Sequence, residues 1–317
     1  MNIVDKKIGI IGGGQLGKMM ILEAKRLGLY VITLDPTEDC PSHAISDEHI
    51  IKDFADEQAI FELAKKADII TYEFEHINAD ALQKLEDLGH KIYPSVKSLK
   101  IIQDKYTQKQ LLQEKSVAVP NFVEVKTACD IEKAGDKFGY PMMLKARTGG
   151  YDGKGNAKID SKADIARGFE ELGSGKIKLM VEEFVPFVKE ISVIACRGID
   201  GKKVIYPVAE NTHKNSILDV TSVPADVSDE TIKKAREVAD KVMGIFEGVG
   251  TFCVEMFVTK ENKIYVNEIA PRPHNSGHYT IEGTFANQFE NHIRAIIRFA
   301  TWKYRFNKAY SNEKCFR

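Results

Sequence analysis

Met142-Met143-Leu144-Lys145-Ala146-Arg147-Thr148-Gly149-Gly150-Tyr151-Asp152-Gly153-Lys154-Gly155-Asn156-Ala157-Lys158-Ile159 is the stretch on which the fold turns. An apolar run ends at Lys145, four glycines fall within the seven positions Gly149 to Gly155, and a second strand-like run follows at once. Glycine lets successive backbone amides turn toward a polyanion without side-chain clash, and Lys145 and Lys154 supply cations within reach of it. A Walker loop would need Gly-Lys-Ser/Thr running into a helix. A strand follows here instead, which predicts a β-hairpin flap able to close over phosphates. Taken alone, the segment also fits an ordinary glycine-rich hairpin turn.

Upstream, Ile8 to Ile11 is a short buried-strand pattern, and Gly12-Gly13-Gly14-Gln15-Leu16-Gly17 opens a helix with Leu16, Met19, Met20, Ala24 and Leu27 at helical spacing. Strand Tyr30 to Leu34, a helix near Glu57 to Lys66 and strand Ala67 to Thr71 continue the alternation. A parallel, doubly wound, Rossmann-like sheet is expected, ending near Ser95. Gly12-x-Gly14-x-x-Gly17 with Asp35 after the next strand matches the dinucleotide fingerprint. The same turn also serves tight strand-to-helix packing, or an amide grip on a substrate phosphate.

Leu99 to Lys115 is predicted as one linking helix. Strands are then expected near Phe122 to Val125, Met142 to Ala146, Lys178 to Glu182, Glu190 to Cys196 and Val204 to Ala209. Turn compositions at Arg197-Gly198-Ile199-Asp200-Gly201 and Lys260-Glu261-Asn262-Lys263 imply antiparallel hairpins. The fold class is therefore α/β plus α+β: residues 1–97 form the parallel sheet, 98–297 a domain of antiparallel sheets and helices with a flap subdomain at about 118–185, and 298–317 a tail.

Three groups carry candidate chemistry. Glu182, Glu183, Phe184 and Val185 precede Pro186, where acids at a strand end can accept from an amino group or hydroxyls; Glu190 opens the next strand with the same ambiguity. A two-residue loop at Glu261-Asn262 would set Lys260 against Lys263 and Glu255 against Glu268. Opposed carboxylates repel unless a proton or a cation lies between them, and hard oxygen ligands suit Mg²⁺. A register slip of one residue would part them. Pro271-Arg272-Pro273-His274-Asn275-Ser276-Gly277-His278 then offers a backbone held by two prolines, with donors suited to a small oxyanion or simply to a rigid surface loop.

The 317 residues are 43% hydrophobic and 29% charged with a formal net charge of -1, so neither nucleic acid nor an anionic membrane is an expected partner. Cys40, Cys129, Cys196, Cys253 and Cys315 are scattered without CxxC or Cys/His spacing, which suggests reduced thiols and a cytoplasmic protein.

Together these motifs, with Leu34-Asp35-Pro36 and Thr71-Tyr72-Glu73-Phe74-Glu75, closely resemble the ATP-grasp superfamily and, within it, the 5-(carboxyamino)imidazole ribonucleotide synthases of purine (IMP) biosynthesis. The resemblance spans about Lys7 to Ile297. It implies a pre-ATP-grasp domain followed by an ATP-grasp domain. It also implies a reaction in which bicarbonate and ATP give carboxyphosphate, whose carboxyl group passes to the exocyclic amine of 5-aminoimidazole ribonucleotide. By resemblance, Lys105, Lys145, Gly149, Gly150, Tyr151, Asp152, Gly153, Lys154, Gly155, Glu182, Glu183, Phe184, Val185, Glu190, His213, Asn267 and Glu268 contact ATP. Glu255 and Glu268 hold Mg²⁺, with Mn²⁺ as a substitute. Arg272 and His274 bind bicarbonate or carboxyphosphate, with Lys145, Tyr151 and Asp152 completing the catalytic set. Gln15, Leu16, Glu73, Tyr151 and Asp152 place the imidazole ribonucleotide. A homodimer is implied. Lys105 departs from the arginine usual in the family.

Family members continue into a small C-terminal lobe with basic residues. From Arg298 this chain diverges, with six basic residues against one acidic up to Arg317. A truncated or frameshifted product is expected, or an alternative ending. The competing functions are another ATP-grasp ligase, such as a formate-dependent glycinamide ribonucleotide transformylase, a non-catalytic nucleotide-binding remnant, and an NAD dehydrogenase.

Overall fold

The computed structural model describes residues 6–150, 154–246, 248–301 and the backbone of 314–316. Short runs rich in isoleucine and valine form a first, wholly parallel sheet: β1 (Lys7–Ile11), β2 (Tyr30–Leu34), β3 (Glu48–Ile50), β4 (Ile69–Tyr72) and β5 (Lys91–Ile92), in the order β3-β2-β1-β4-β5. Its strands lack polar alternation because both faces are covered. α1 (Gln15–Arg26) packs on one face, where Met20 and Ile21 meet Ile8 and Ile10. α2 (Glu57–Lys66) and α3 (Ala79–Asp87) cover the other through Ile60, Leu63, Leu82 and Leu85. Asp56 and Asn78 cap these two helices by accepting from exposed backbone amides.

The predicted single helix from Leu99 to Lys115 is two helices, α4 (Val96–Gln103) and α5 (Lys105–Glu114). Asp104 breaks it. Its backbone is extended, and its carboxylate accepts from the Tyr106 and Thr107 amides at 3.0 and 3.2 Å. An aspartate that caps a new helix outcompetes continuation of the old one.

A four-stranded sheet follows, from β6 (Phe122–Val125), β7 (Met142–Ala146), β8 (Asn156–Ile159) and β9 (Leu179–Glu183), ordered β6-β9-β7-β8. α6 (Ala128–Phe138) and α7 (Ile165–Glu171) pack on it through Ile131, Ala134 and Ile165. The β7–β8 pair is the flap hairpin expected from the glycine run. Glu182 lies near the end of an interior strand: β9 is central, and Glu182 is paired with Phe122 on one side and Met143 on the other.

The largest sheet holds β10 (Phe187–Arg197), β11 (Lys203–Ile205), β12 (Ala209–Lys214), β13 (Ile217–Ser222), β14 (Gly250–Thr259), β15 (Ile264–Ala270) and β16 (Lys314–Phe316), in the order β15-β14-β10-β12-β13-β16 with β11 also on β10. The strand expected over Val204 to Ala209 is divided between β11 and β12, because Pro207 has no N–H to extend the ladder. α8 (Asp229–Ile245) buries Val242 and Met243 against Val193, Phe252 and Val254. After the short α9 (Thr280–Gly283), α10 (Gln288–Ile296) crosses back to pack Phe289, Ile293 and Ile296 into the first sheet's core. Within the tail, β16 pairs with the outer strand β13.

The β14–β15 hairpin differs from expectation in one instructive way. Thr259 donates to the Lys263 carbonyl at 3.0 Å, so the loop is the three residues Lys260 to Asn262, with Asn262 at φ 58°. Met256 accordingly faces Val266, one residue off the expected register. A β-bulge at Asn267 then absorbs the extra residue, and Glu255 faces Glu268 after all. Among the described residues, no helix is long and apolar enough to cross a membrane.

Candidate active site

A cleft of about 430 Å³ runs between the flap sheet and the large sheet. Its walls include the predicted residues Lys145, Gly150, Glu182, Glu183, Phe184, Val185, Glu190, His213, Glu255, Asn267, Glu268, Arg272 and His274. Lys105 reaches it by an ion pair with Glu268. Tyr151, Asp152 and Gly153 lie outside the described residues; Gly149 and Gly155, on either side of them, have φ near 80°. That backbone region favours glycine.

The opposed carboxylates dominate the floor. Burial and the neighbouring Glu268 charge push the Glu255 carboxyl up, the behaviour of an acid pair that favours a shared proton or an added cation. Burial alone would make Lys105 easier to deprotonate, but Glu268 outweighs it and keeps Lys105 charged.

Beside Glu255 stands His274, its Nε2 3.3 Å from Glu255 Oε1. Burial, and then the Arg272 charge, push this imidazole down to about 3. His274 is therefore neutral, and its Nδ1 accepts from the Ser276 amide at 3.2 Å. The proton must then sit on Nε2, where it faces the cleft as a donor. Cys253, Glu255 and His274 each bring a ligand atom within 4.8 Å of the others. With Nε2 protonated, however, the trio lacks a free imidazole lone pair there, which leaves Glu255 and the facing Glu268 as the anionic oxygen pair of the floor. Ser276 Oγ accepts from Ser192 Oγ at 2.8 Å, and Ser192 Oγ from the Asn211 amide at 2.9 Å, a buried chain that holds this loop to β10 and β12.

Arg272 was legible in the sequence; its partner was not. Arg272 Nε donates to Glu75 Oε2 at 2.6 Å, across from the end of the parallel sheet. Burial opposes charge on Glu75, yet the guanidinium prevails and holds the carboxyl at about 2. Lys109 was also missed. It is 1% exposed, lies 3.1 Å from Glu182 Oε1, and donates to the Asn267 carbonyl at the bulge at 2.8 Å. Burial lowers it to about 8, against the pull of Glu182. Lys145 Nζ lies 2.8 Å from Glu182 Oε2, a charge contact outside hydrogen-bonding geometry. Glu182 is thus clamped between two lysines, which keep it ionised although burial disfavours the charge.

Farther along the cleft, His213 Nδ1 and Glu190 Oε2 pair at 2.9 Å, and Phe187 and Phe257 stack at 4.6 Å to make an apolar wall. Glu183 accepts from the Asn121 amide at 2.6 Å, and Val185 is buried.

The first glycine turn is committed elsewhere. Gly13 donates to Asp35 at 2.8 Å, while Gly14 at 2.6 Å and Gly17 donate to Glu73. A pyrophosphate would have to displace two carboxylates of the chain itself, so the dinucleotide reading has no physical basis here. Glu73, Gln15 and Leu16 do not line the cleft.

Residues 110–289 match the family described as ATP-grasp domain, and residues 5–103 match the ribonucleotide synthetase preATP-grasp domain. The N5-carboxyaminoimidazole ribonucleotide synthase of Staphylococcus aureus (strain COL) is 42% identical over 289 residues, covering 91% of this chain and 76% of the relative. The Staphylococcus aureus N5-carboxyaminoimidazole synthetase complexed with ADP superposes with a TM-score of 0.91 at 40% identity, covering 96% of this chain and 82% of that one. The Aspergillus clavatus N5-carboxyaminoimidazole synthase in complex with ADP and 5-aminoimidazole ribonucleotide gives 0.89 at 36% identity, covering 94% and 78%. With these likenesses spread over both domains and the cleft between the sheets, the chain belongs to the N5-carboxyaminoimidazole ribonucleotide synthase family of ATP-grasp proteins.

Proposed function

We propose that this chain uses ATP and bicarbonate to carboxylate the exocyclic amine of 5-aminoimidazole ribonucleotide, the activity named for its relatives. The observation that carries the reading is the floor of the cleft. Two opposed carboxylates, a charged lysine on one of them, a neutral imidazole N–H and an arginine fixed by Glu75 converge on one place.

Glu255 and Glu268 would hold Mg²⁺, the acid pair fitting a hard cation. When bound, the ion supplies charge neutralisation for triphosphate oxygens. Lys105 and Lys145 meet the phosphates from the α5 and β7 sides. The stacked Phe187 and Phe257, with Val185, offer the base an apolar wall, and Glu183, Glu190 and His213 offer it polar partners. Arg272 and the His274 Nε2–H donate to a bicarbonate or carboxyphosphate oxygen. Because His274 is uncharged and its Nδ1 lone pair is taken, it orients and stabilises an oxyanion rather than removing a proton. The β7–β8 hairpin, which brings Lys145, Gly150 and Asn156 to the cleft, would help shield an acyl phosphate from water.

The test is ADP release with Mg-ATP and bicarbonate, measured with and without 5-aminoimidazole ribonucleotide. Release that rises with the acceptor is the expected result; none under either condition would refute the enzyme reading. Glu268→Gln should abolish turnover with the fold intact, since it deletes a metal ligand without deleting volume. Undiminished activity would remove the carboxylate pair from the account.

A further inference from the structure

We propose that Arg147, which does not line the cleft, is the positioning residue that sets Lys105 against the nucleotide phosphates. It stands at the root of the flap, directly after β7, and is 9% exposed. Its guanidinium makes a two-pronged contact with Asp104, Nε to Oδ1 at 3.0 Å and Nη2 to Oδ2. Nη1 donates to Glu124 of β6 at 2.7 Å, and the group lies 4.7 Å from the Tyr106 ring centre. The Arg147 carbonyl accepts from the Lys105 amide at 2.8 Å.

Asp104 is the joint in this arrangement. The same carboxylate that takes the Arg147 fork caps α5, whose first turn carries Lys105 and whose second carries Lys109. Lys105 reaches Glu268, and Lys109 reaches Glu182 and the Asn267 bulge. Arg147 thus joins the flap sheet to the start of the helix that presents both cations, through side chain and backbone at once. An ion pair with no such reach would serve stability alone. A planar fork gripping a capping carboxylate fixes both the angle of α5 and the distance of the flap root from it, which a lysine cannot do.

This rests on the nucleotide reading above, so the first measurement is Mg-ATP binding to the unaltered chain by titration calorimetry. Arg147→Lys is expected to weaken that binding about tenfold, the scale typical of residues that orient ligating groups. Asp104→Asn should do the same, because asparagine still caps a helix but loses the charged fork. In a Lys105→Met background, Arg147→Lys should then cost less than about twofold, since residues acting through one another are not additive. Unchanged affinity in Arg147→Lys, or a full tenfold loss on top of Lys105→Met, would overturn the proposal. If one of the two substitutions unfolds the chain, the other decides by the same titration. Failure of the unaltered chain to bind Mg-ATP would sink the nucleotide reading and this proposal with it, an outcome distinct from loss of the coupling alone.

Discussion

Glu75 is the residue whose behaviour departs furthest from its sequence context, a plain acid after a strand that becomes half of a part-buried ion pair with Arg272, each side chain 14% exposed. Its depressed pKa means the folded state holds the charge more tightly than the unfolded chain. The stability it adds is complete above about pH 4.5 and is lost as pH falls toward about 2. Glu75→Gln should therefore cost about 3 kcal/mol in urea unfolding at pH 7, since it strands Arg272. The gap should narrow as pH falls below about 4.5 and close only below about pH 2. Glu255 is shifted the other way, and the consequence falls on binding at higher pH. Its carboxyl is raised in the empty pair, so a cation must displace a proton, and Mg-ATP affinity should rise from pH 6 to pH 8. A calorimetric titration with a flat pH profile would contradict this. Neither partnership is local: Glu75 lies 197 residues from Arg272, and Lys109 lies 158 from Asn267. No pattern in sequence marks such pairs.

Elements were more legible than their junctions. The β1–α1 turn was readable in the glycine run, because close strand-to-helix approach demands glycine. A Cβ on Gly17 would lie 2.5 Å from the Gly12 carbonyl, and one on Gly14 2.7 Å from Glu73 Oε1. Gly17→Ala should destabilise the parallel sheet by about 1–3 kcal/mol through overpacking, visible as a lower urea midpoint. Function at that turn was not readable. The same glycine turn can serve a dinucleotide or internal carboxylates, and only the positions of Asp35 and Glu73 distinguish the two. The β14–β15 hairpin carries the complementary lesson. Glu255 does face Glu268, but through a three-residue loop and a compensating bulge rather than the two-residue loop that composition suggested. Alternation cannot reveal a bulge, because the extra residue is held by a tertiary contact, here the Lys109 ammonium on the Asn267 carbonyl.

Across the whole molecule, α10 ties the parallel sheet to the large antiparallel sheet. His292 is fully buried between them, 2.8 Å from Thr71 Oγ1 in the parallel sheet and accepting from the Thr251 amide of β14 at 3.1 Å. Burial lowers it to about 3, whereas an unfolded histidine titrates near 6.5. Between those values the unfolded chain binds the extra proton, so stability should rise with pH up to about 6.5 and level off above it. This residue contributes up to about 1.4 kcal/mol per pH unit in that window. His292→Gln should reduce the slope of unfolding free energy against pH by about one proton, and an unaltered slope would remove His292 from the acid response. What the sequence by itself determined was the kind of each segment and the donors available for chemistry, because periodicity, glycine and proline act over a few residues. The tertiary structure alone decided how those donors are used: which lysine meets which carboxylate, which histidine nitrogen keeps its proton, and which glycine amides are already taken. Those choices depend on burial and charge brought together across distant segments, where the energy of one group depends on neighbours that no local pattern names.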